Sequence, residues 1–548
     1  MFYTPASQEN ALSALLHTGA PELDDPCFPT LTRRRLGHAL AALGLMGAAG
    51  QPASPATPDP VRASTCGGQR CPDQPPDLVL ITTDDMNASD FAALPRTHAL
   101  LAEQGTTFPN YFLTSPSCSP SRVNVLRGQY AHNSGVRSNR GEFGGWKAFT
   151  ESGASQSTIA TWLHDAGYRT AHIGKHLNGY SRAAGNDLRP GWDEWVVPMP
   201  VDYFDYTLSL GATTEEHGHA PEDYLTDVLA AKAAAFITST PADQPLFLYF
   251  TPKAPHLPSV PAPRHAGAFA NHSLDTAGAF NEADLSDKPQ ALQREPLTTD
   301  EIAALEQQER GRLESLLAVD EAVAGILAAL QEAGRLAAAY IVFTSDNGWL
   351  MGQHRYVGKG VPYEEAIRVP MLVRGPGVPA GVTNPSLVAN IDLAPTFADL
   401  ASVPAPDFVD GRSLTEAFAG GASGREALLI EIFGSGEAAR PTKQGKEKAT
   451  KKDRKANDSA ADSAADAGEE DARDPFRAIR TADWLYVEYG IPVTGSEMYD
   501  LQADPNEMTN LAGDPTHAAT ETDLAAWLAT LVDCAADTCR QAENAPPP

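Results

Sequence analysis

Short runs rich in β-branched and aromatic residues recur along the chain: Leu78-Val79-Leu80-Ile81-Thr82-Thr83, Thr170-Ala171-His172-Ile173-Gly174, Leu246-Phe247-Leu248-Tyr249-Phe250, Tyr340-Ile341-Val342-Phe343-Thr344 and Pro370-Met371-Leu372-Val373-Arg374. Near-continuous apolar runs of this length predict strands buried on both faces, as in a parallel sheet covered by helices. Helical patterning lies between them, over Ser157 to Ala166, Glu222 to Ile237 and Leu313 to Ala333. The alternation predicts an α/β fold with a large, mostly parallel sheet flanked by helices.

After Gly420 the pattern changes to shorter strands, Ala427 to Phe433, Phe476 to Arg480 and Leu485 to Tyr489, which predict a small C-terminal domain with an antiparallel sheet. Residues 436–475 interrupt it with lysines from Lys443 to Lys455 and then a Ser, Ala, Asp and Glu tract. Such a segment buries too little apolar surface to offset its ordering entropy and reads as a disordered insertion. Residues 51–76, rich in Pro, Ala, Ser and Gly, read as a linker. The expected organisation is an N-terminal segment over 1–50, the linker, a large domain over 77–422 and a small one over 423–540.

Composition changes this picture at the surface. The 548 residues carry 41 basic and 70 acidic side chains, a net charge of −29. That balance argues against a nucleic-acid partner. Charges further apart than about 8 Å are largely screened, so an anionic substrate depends on cations placed locally. Arg33-Arg34-Arg35, a weakly apolar run from Gly37 to Gly50 and small residues beyond it have the order of a twin-arginine export signal. The run is shorter than the ~20 residues a spanning helix needs, so no stable membrane insertion is expected. Two cysteine pairs share one spacing, Cys66 with Cys71 and Cys534 with Cys539, and read as disulfide loops in an exported protein, although spacing alone does not fix connectivity. Cys27 precedes the expected cleavage point, which leaves Cys118 unpaired.

Several strands end in polar residues, Asp84-Asp85, Lys175-His176 and Asp346-Asn347, and the C-terminal edge of an open α/β sheet is where ligands bind. Asp84, Asp85, Asp346 and Asn347 are all oxygen donors, the set a hard cation takes. Ser117-Cys118-Ser119-Pro120-Ser121-Arg122, followed by Leu126-Arg127-Gly128, resembles the sulfatase signature. The resemblance extends from about Pro76 to Arg540 and implies an alkaline-phosphatase-like fold. It implies that a formylglycine-generating enzyme oxidises Cys118 to the aldehyde formylglycine, and that Asp84, Asp85, Asp346, Asn347 and residue 118 surround one calcium ion, magnesium fitting less well. Matching positions assign Arg122 to fixing the nucleophile, Lys175 and Lys359 to the sulfate, and His256 to protonating the leaving oxygen. His176 departs from the pattern, because many arylsulfatases place their histidine two residues after the lysine rather than beside it. Gly174-Lys175-His176-Leu177-Asn178 and Tyr130-Ala131-His132-Asn133 resemble the glucosamine-6-sulfatase branch, in which His354 could also enter the pocket; no motif position fixes it, and it reads as a loop residue. The expected activity is hydrolysis of aryl sulfates or sulfated amino sugars by an exported bacterial enzyme, periplasmic or extracellular. A phosphonate or phosphodiester hydrolase and a non-catalytic sulfated-glycan-binding protein are the alternatives.

Overall fold

All seven residues of the strand Asp77–Thr83 are buried, and their side chains alternate between two cores. Val79 and Ile81 join one apolar cluster, Leu78 and Leu80 the other. Leu246, Leu248 and Phe250 against Phe247 and Tyr249 repeat the division, as do Ile341 and Phe343 against Val342. A strand that is apolar at every position therefore serves two helix layers at once. The computed structural model describes residues 74–180, 189–434, 475–490, 492–544 and 546, with the backbone of two short paired strands, Thr65–Cys66 and Gln69–Arg70. The export signal, the Cys66 and Cys71 pairing and the insertion up to residue 474 lie outside the described residues.

The longer strands are, in chain order, β1 (Asp77–Thr83), β2 (Thr106–Phe112), β3 (Arg169–Gly174), β4 (Glu194–Met199), β5 (Tyr206–Leu210), β6 (Thr213–His217), β7 (Leu246–Thr251), β8 (Ala339–Ser345), β9 (Arg368–Arg374), β10 (Ala427–Ile432), β11 (Phe476–Thr481), β12 (Trp484–Tyr489) and β13 (Gly495–Asp500). The large sheet runs β2-β9-β8-β1-β7-β3-β4-β5-β6, with the two-residue strands Val382–Thr383 and Val388–Ala389 beside β2. Its centre, β8-β1-β7-β3-β4, is parallel. Its flanks, β2-β9-β8 on one side and β4-β5-β6 on the other, are antiparallel. The sheet is thus mixed around a parallel core. Parallel pairing needs a helical crossover; β5 and β6 follow β4 through short turns instead.

One face carries helices Leu225–Ser239 and Thr299–Glu332, the other Cys118–Arg127, Ile159–Asp165 and Leu393–Leu400. Thr299–Glu332 is capped by Thr298, whose Oγ1 accepts from the Glu301 backbone N–H. The C-terminal strands form a four-stranded antiparallel sheet, β10-β11-β12-β13. Helix Ala518–Leu531 contributes Leu524, Trp527, Leu528 and Leu531 to the same apolar cluster as that sheet. Cys534 and Cys539 are disulfide-bonded, and Cys118 is a free, buried thiol. Among the described residues no helix is long and apolar enough to cross a membrane.

Candidate active site

Parallel register brings the strand ends together. Ser345 of β8 pairs with Thr83 of β1, Ile81 with Phe250 of β7, and Thr251 with Gly174 of β3. The residues that follow, Asp346-Asn347, Asp84-Asp85, Pro255-His256 and Lys175, therefore emerge in order along one edge. Asp84 forms an isolated bridge with Pro255, tying two of these ends directly.

Cys118 is the first residue of a ten-residue helix in which every position from Cys118 to Leu126 is buried. The helix starts after extended Ser117 and stops at Gly128, whose φ of +67° is left-handed backbone that favours glycine. A Cβ there would lie 2.9 Å from Val409 and 3.0 Å from Pro395. Ser119 anchors the first turn: its N–H donates to Asn139 Oδ1 at 2.8 Å and its hydroxyl to Asn178 Oδ1 at 2.8 Å.

Three cations gather around the thiol. Lys359 Nζ lies 2.7 Å from Cys118 Sγ and 2.6 Å from Asp85 Oδ1. Lys175 Nζ lies 3.6 Å from Sγ and 2.7 Å from Asp84 Oδ2. Arg122 donates from Nε to Asp346 Oδ2 at 2.9 Å and from Nη1 to the Lys175 carbonyl at 2.8 Å, with Nη2 3.6 Å from Asp84. Burial drives the Cys118 thiol well above its ordinary pKa, against the pull of Lys175 and Lys359. Burial also works against the Asp84 carboxylate, but Lys175, His256, Arg122 and Lys359 together hold it below the usual range. Asp346 goes the other way, pushed up to about 6 by burial and by Asp84 and Asp85 despite Arg122.

Asp84, Asp85 and Asp346 present ligand atoms within 4.8 Å of one another. The donor set fits a hard divalent cation on two grounds. Asp85 Oδ2 and Asn347 Oδ1 are buried with no hydrogen-bond partner among the described residues, which costs about 1–3 kcal/mol each unless a ligand takes them up. Asp85 also sits at φ +67°, strained for a residue with a Cβ. Arg312 secures that turn, donating from Nη2 to the Asp85 carbonyl at 2.5 Å and to Asp90 Oδ2 at 2.6 Å. His256 Nε2 is 3.7 Å from Asp85 Oδ2, and its Nδ1 is 2.8 Å from the Leu257 carbonyl.

His176 stands apart from this group. Its ring packs against His172, Trp195, Trp146, Phe149 and Tyr180, with centroids between 4.7 and 6.3 Å away. Burial, then His172 and Arg122, hold its pKa well below the ordinary histidine value. Sequence reasoning passed over Arg312 and Asn139, and named Asn178 only as part of a motif. The available signal for Arg312 was a charged position on the helix stripe that otherwise carries Leu305, Leu316 and Val319. His354 is buried rather than a surface loop residue, 1% exposed and stacked on Tyr363 at 4.0 Å.

The fold is that of a sulfuric ester hydrolase family. Residues 76–403 match the sulfatase family model, and the chain belongs to the sulfatase family. It is 31% identical over 548 residues to N-acetylglucosamine-6-sulfatase of Homo sapiens, covering 96% of this chain and 92% of that one. It is 36% identical to an extracellular sulfatase SULF-1 homolog of Drosophila melanogaster over 62% of this chain. The chain spans 31% of that relative's length and 48% of the length of its Caenorhabditis elegans counterpart. Among solved structures, one in complex with its substrate D-glucosamine-2-N,6-O-disulfate superposes with a TM-score of 0.65 at 24% identity, over 85% of this chain and 99% of that one.

Proposed function

We propose that this chain hydrolyses sulfate monoesters, of sulfated amino sugars or aryl alcohols, using formylglycine formed from Cys118 and calcium held by Asp84, Asp85, Asp346 and Asn347. The observation that carries the reading is the enclosure of Cys118 by Lys359, Lys175 and the Arg122 network at the C-terminal edge of the sheet. As a hydrate, formylglycine would supply two oxygens on one carbon, one to attack sulfur and one whose deprotonation expels sulfate. Calcium would supply Lewis-acid stabilisation of charge on the sulfonyl oxygens.

The chain's own residues do the rest. Lys175 and Lys359, both buried, would neutralise the sulfate oxygens where fixed charges act most strongly. Arg122, held between Asp346 and the Lys175 carbonyl, orients residue 118. His256, tied at Nδ1 to the Leu257 carbonyl, offers Nε2 for donating a proton to the departing alkoxide. His176 is given no proton-transfer step, because it lies in an aromatic enclosure. Cys118 is wholly buried, so its oxidation by a formylglycine-generating enzyme would precede closure of the fold.

The likeness to N-acetylglucosamine-6-sulfatase over nearly the whole chain supports a sulfated amino sugar. The Arg33-Arg34-Arg35 segment supports bacterial export, periplasmic or extracellular, and the likeness to an extracellular sulfatase supports secretion. Turnover of nitrophenyl sulfate and glucosamine 6-sulfate against a nitrophenyl phosphodiester tests the reading. Faster sulfate-ester turnover is expected; a dominant phosphodiester rate would overturn it.

A further inference from the structure

A second set of metal-ligating side chains lies outside the site built on Cys118. One ligand atom from each of His354, Glu365 and Glu507 lies within 4.8 Å of the other two. His354 and Glu365 bracket Lys359 in sequence, and Glu507 follows β13 in the C-terminal part of the chain. His354 and Glu507 are each 1% exposed.

The unusual feature is what these side chains leave unmet. His354 Nε2, Glu365 Oε2 and Glu507 Oε1 are all buried with no hydrogen-bond partner among the described residues. Their other atoms are committed. His354 Nδ1 lies 2.7 Å from Glu282 Oε2, a contact that favours the tautomer with its proton on Nδ1 and Nε2 open to a ligand. Glu507 Oε2 accepts from the Glu364 backbone N–H at 3.0 Å. A histidine whose far nitrogen donates to a carboxylate is the usual arrangement of a metal-bound imidazole. The backbone is also strained here, with φ of +51° at His354 and +61° at Arg355. Arg355 holds that turn through the Glu282, Ala283 and Arg294 carbonyls. Strain of this kind concentrates at ligand clamps.

We propose that His354, Glu365 and Glu507 bind a second divalent cation, of the zinc type, independent of the Asp84, Asp85, Asp346 and Asn347 set. An imidazole nitrogen with two carboxylates suits zinc, whereas the first site offers only oxygens and suits a hard cation. Bonds of about 2.0–2.2 Å would place the three ligand atoms roughly 3.4 Å from one another, so the side chains would close in from their present separation, within 4.8 Å. The ion would clamp both ends of the segment that delivers Lys359 and fasten it to the C-terminal part of the chain. It would also take up the buried, unpartnered oxygens of Glu365 and Glu507.

The test is calorimetric titration of the full chain with zinc chloride in saturating calcium, which fills the first site. One zinc per chain is expected, with affinity at least tenfold weaker in Glu507→Gln and in His354→Gln. No zinc uptake by the unsubstituted chain, or uptake unchanged in both variants, would overturn the proposal. Should a variant fail to fold, anomalous scattering at the zinc edge from crystals of the unsubstituted protein decides the point. A peak between His354, Glu365 and Glu507 supports the site, and no peak there rejects it.

Discussion

Asp85 shows how single residues divide the work: its carboxylate faces the cation site while its strained backbone is held from behind by Arg312, fully buried in the helix layer. Replacing Arg312 with Met removes the hydrogen bond to the Asp85 carbonyl and keeps most of the volume. Calcium affinity, measured by titration, should fall about 10- to 100-fold, as for other losses of support behind a metal ligand. Substitution at Cys118 separates the two halves of the chemistry. Cys118→Ser provides one hydroxyl and no second one, so rapid mixing with nitrophenyl sulfate should show at most a single turnover per enzyme; sustained turnover would contradict the proposed role of residue 118. The residues that meet at the site were legible because chemistry places them in adjacent pairs and short motifs, as in Asp84-Asp85, Asp346-Asn347 and Cys118 to Arg122. Arg312 and Asn139 were not, since each acts through long-range hydrogen bonds that leave no local pattern. His176 was misleading for the converse reason: it neighbours Lys175 in sequence, yet its ring lies in the aromatic cluster around Trp146 and Trp195.

At the scale of elements, the interface between the helix layer and the small sheet is pinned by His132. Its Nδ1 lies 2.9 Å from Glu431 Oε1 on β10 and its Nε2 2.9 Å from the Cys534 carbonyl beside the disulfide. Burial disfavours the charged ring, but Glu431 overrides it and raises the pKa to about 9. A pKa raised in the folded state stabilises fully below the unfolded value near 6.5 and is lost as pH rises through about 9. The amount is roughly 3 kcal/mol. Thermal unfolding across that window should show a falling melting temperature, and Glu431→Gln should flatten the fall. Strand identities were readable wherever both faces are apolar, since β1, β7 and β8 need no register information. Strand direction at the flanks was not, because β9 and β5 turn back through loops that carry no direction signal of their own. The first turns of Thr299–Glu332 were missed because Thr299 to Arg312 is dominated by charge, even though Thr298 and Glu301 form a capping box. β13 was missed for a related reason: Gly495-Ser496-Glu497 breaks the apolar run, while buried Glu497 bonds to Tyr363, Tyr489 and Tyr499.

For the whole molecule, a net charge of −29 surrounds a site that must admit an anion. The conflict is resolved locally, where Asp84, Asp85 and Asp346 face Arg122, Lys175 and Lys359 in near balance, so that a divalent ion leaves an excess of positive charge. Chelation should then destabilise the fold as well as stop turnover. At calcium a hundredfold above its dissociation constant the stabilisation is about 3 kcal/mol, and calorimetry with and without chelator should show a lower melting temperature that calcium restores. An unchanged melting temperature would count against a buried calcium site. The central claim is that the sulfur of Cys118 is replaced by oxygen in the working enzyme. Peptide mass spectrometry across Ser115 to Arg122 of active protein tests it most directly: the aldehyde or its hydrate at position 118 is the predicted result, and full activity with an intact cysteine thiol would contradict the account.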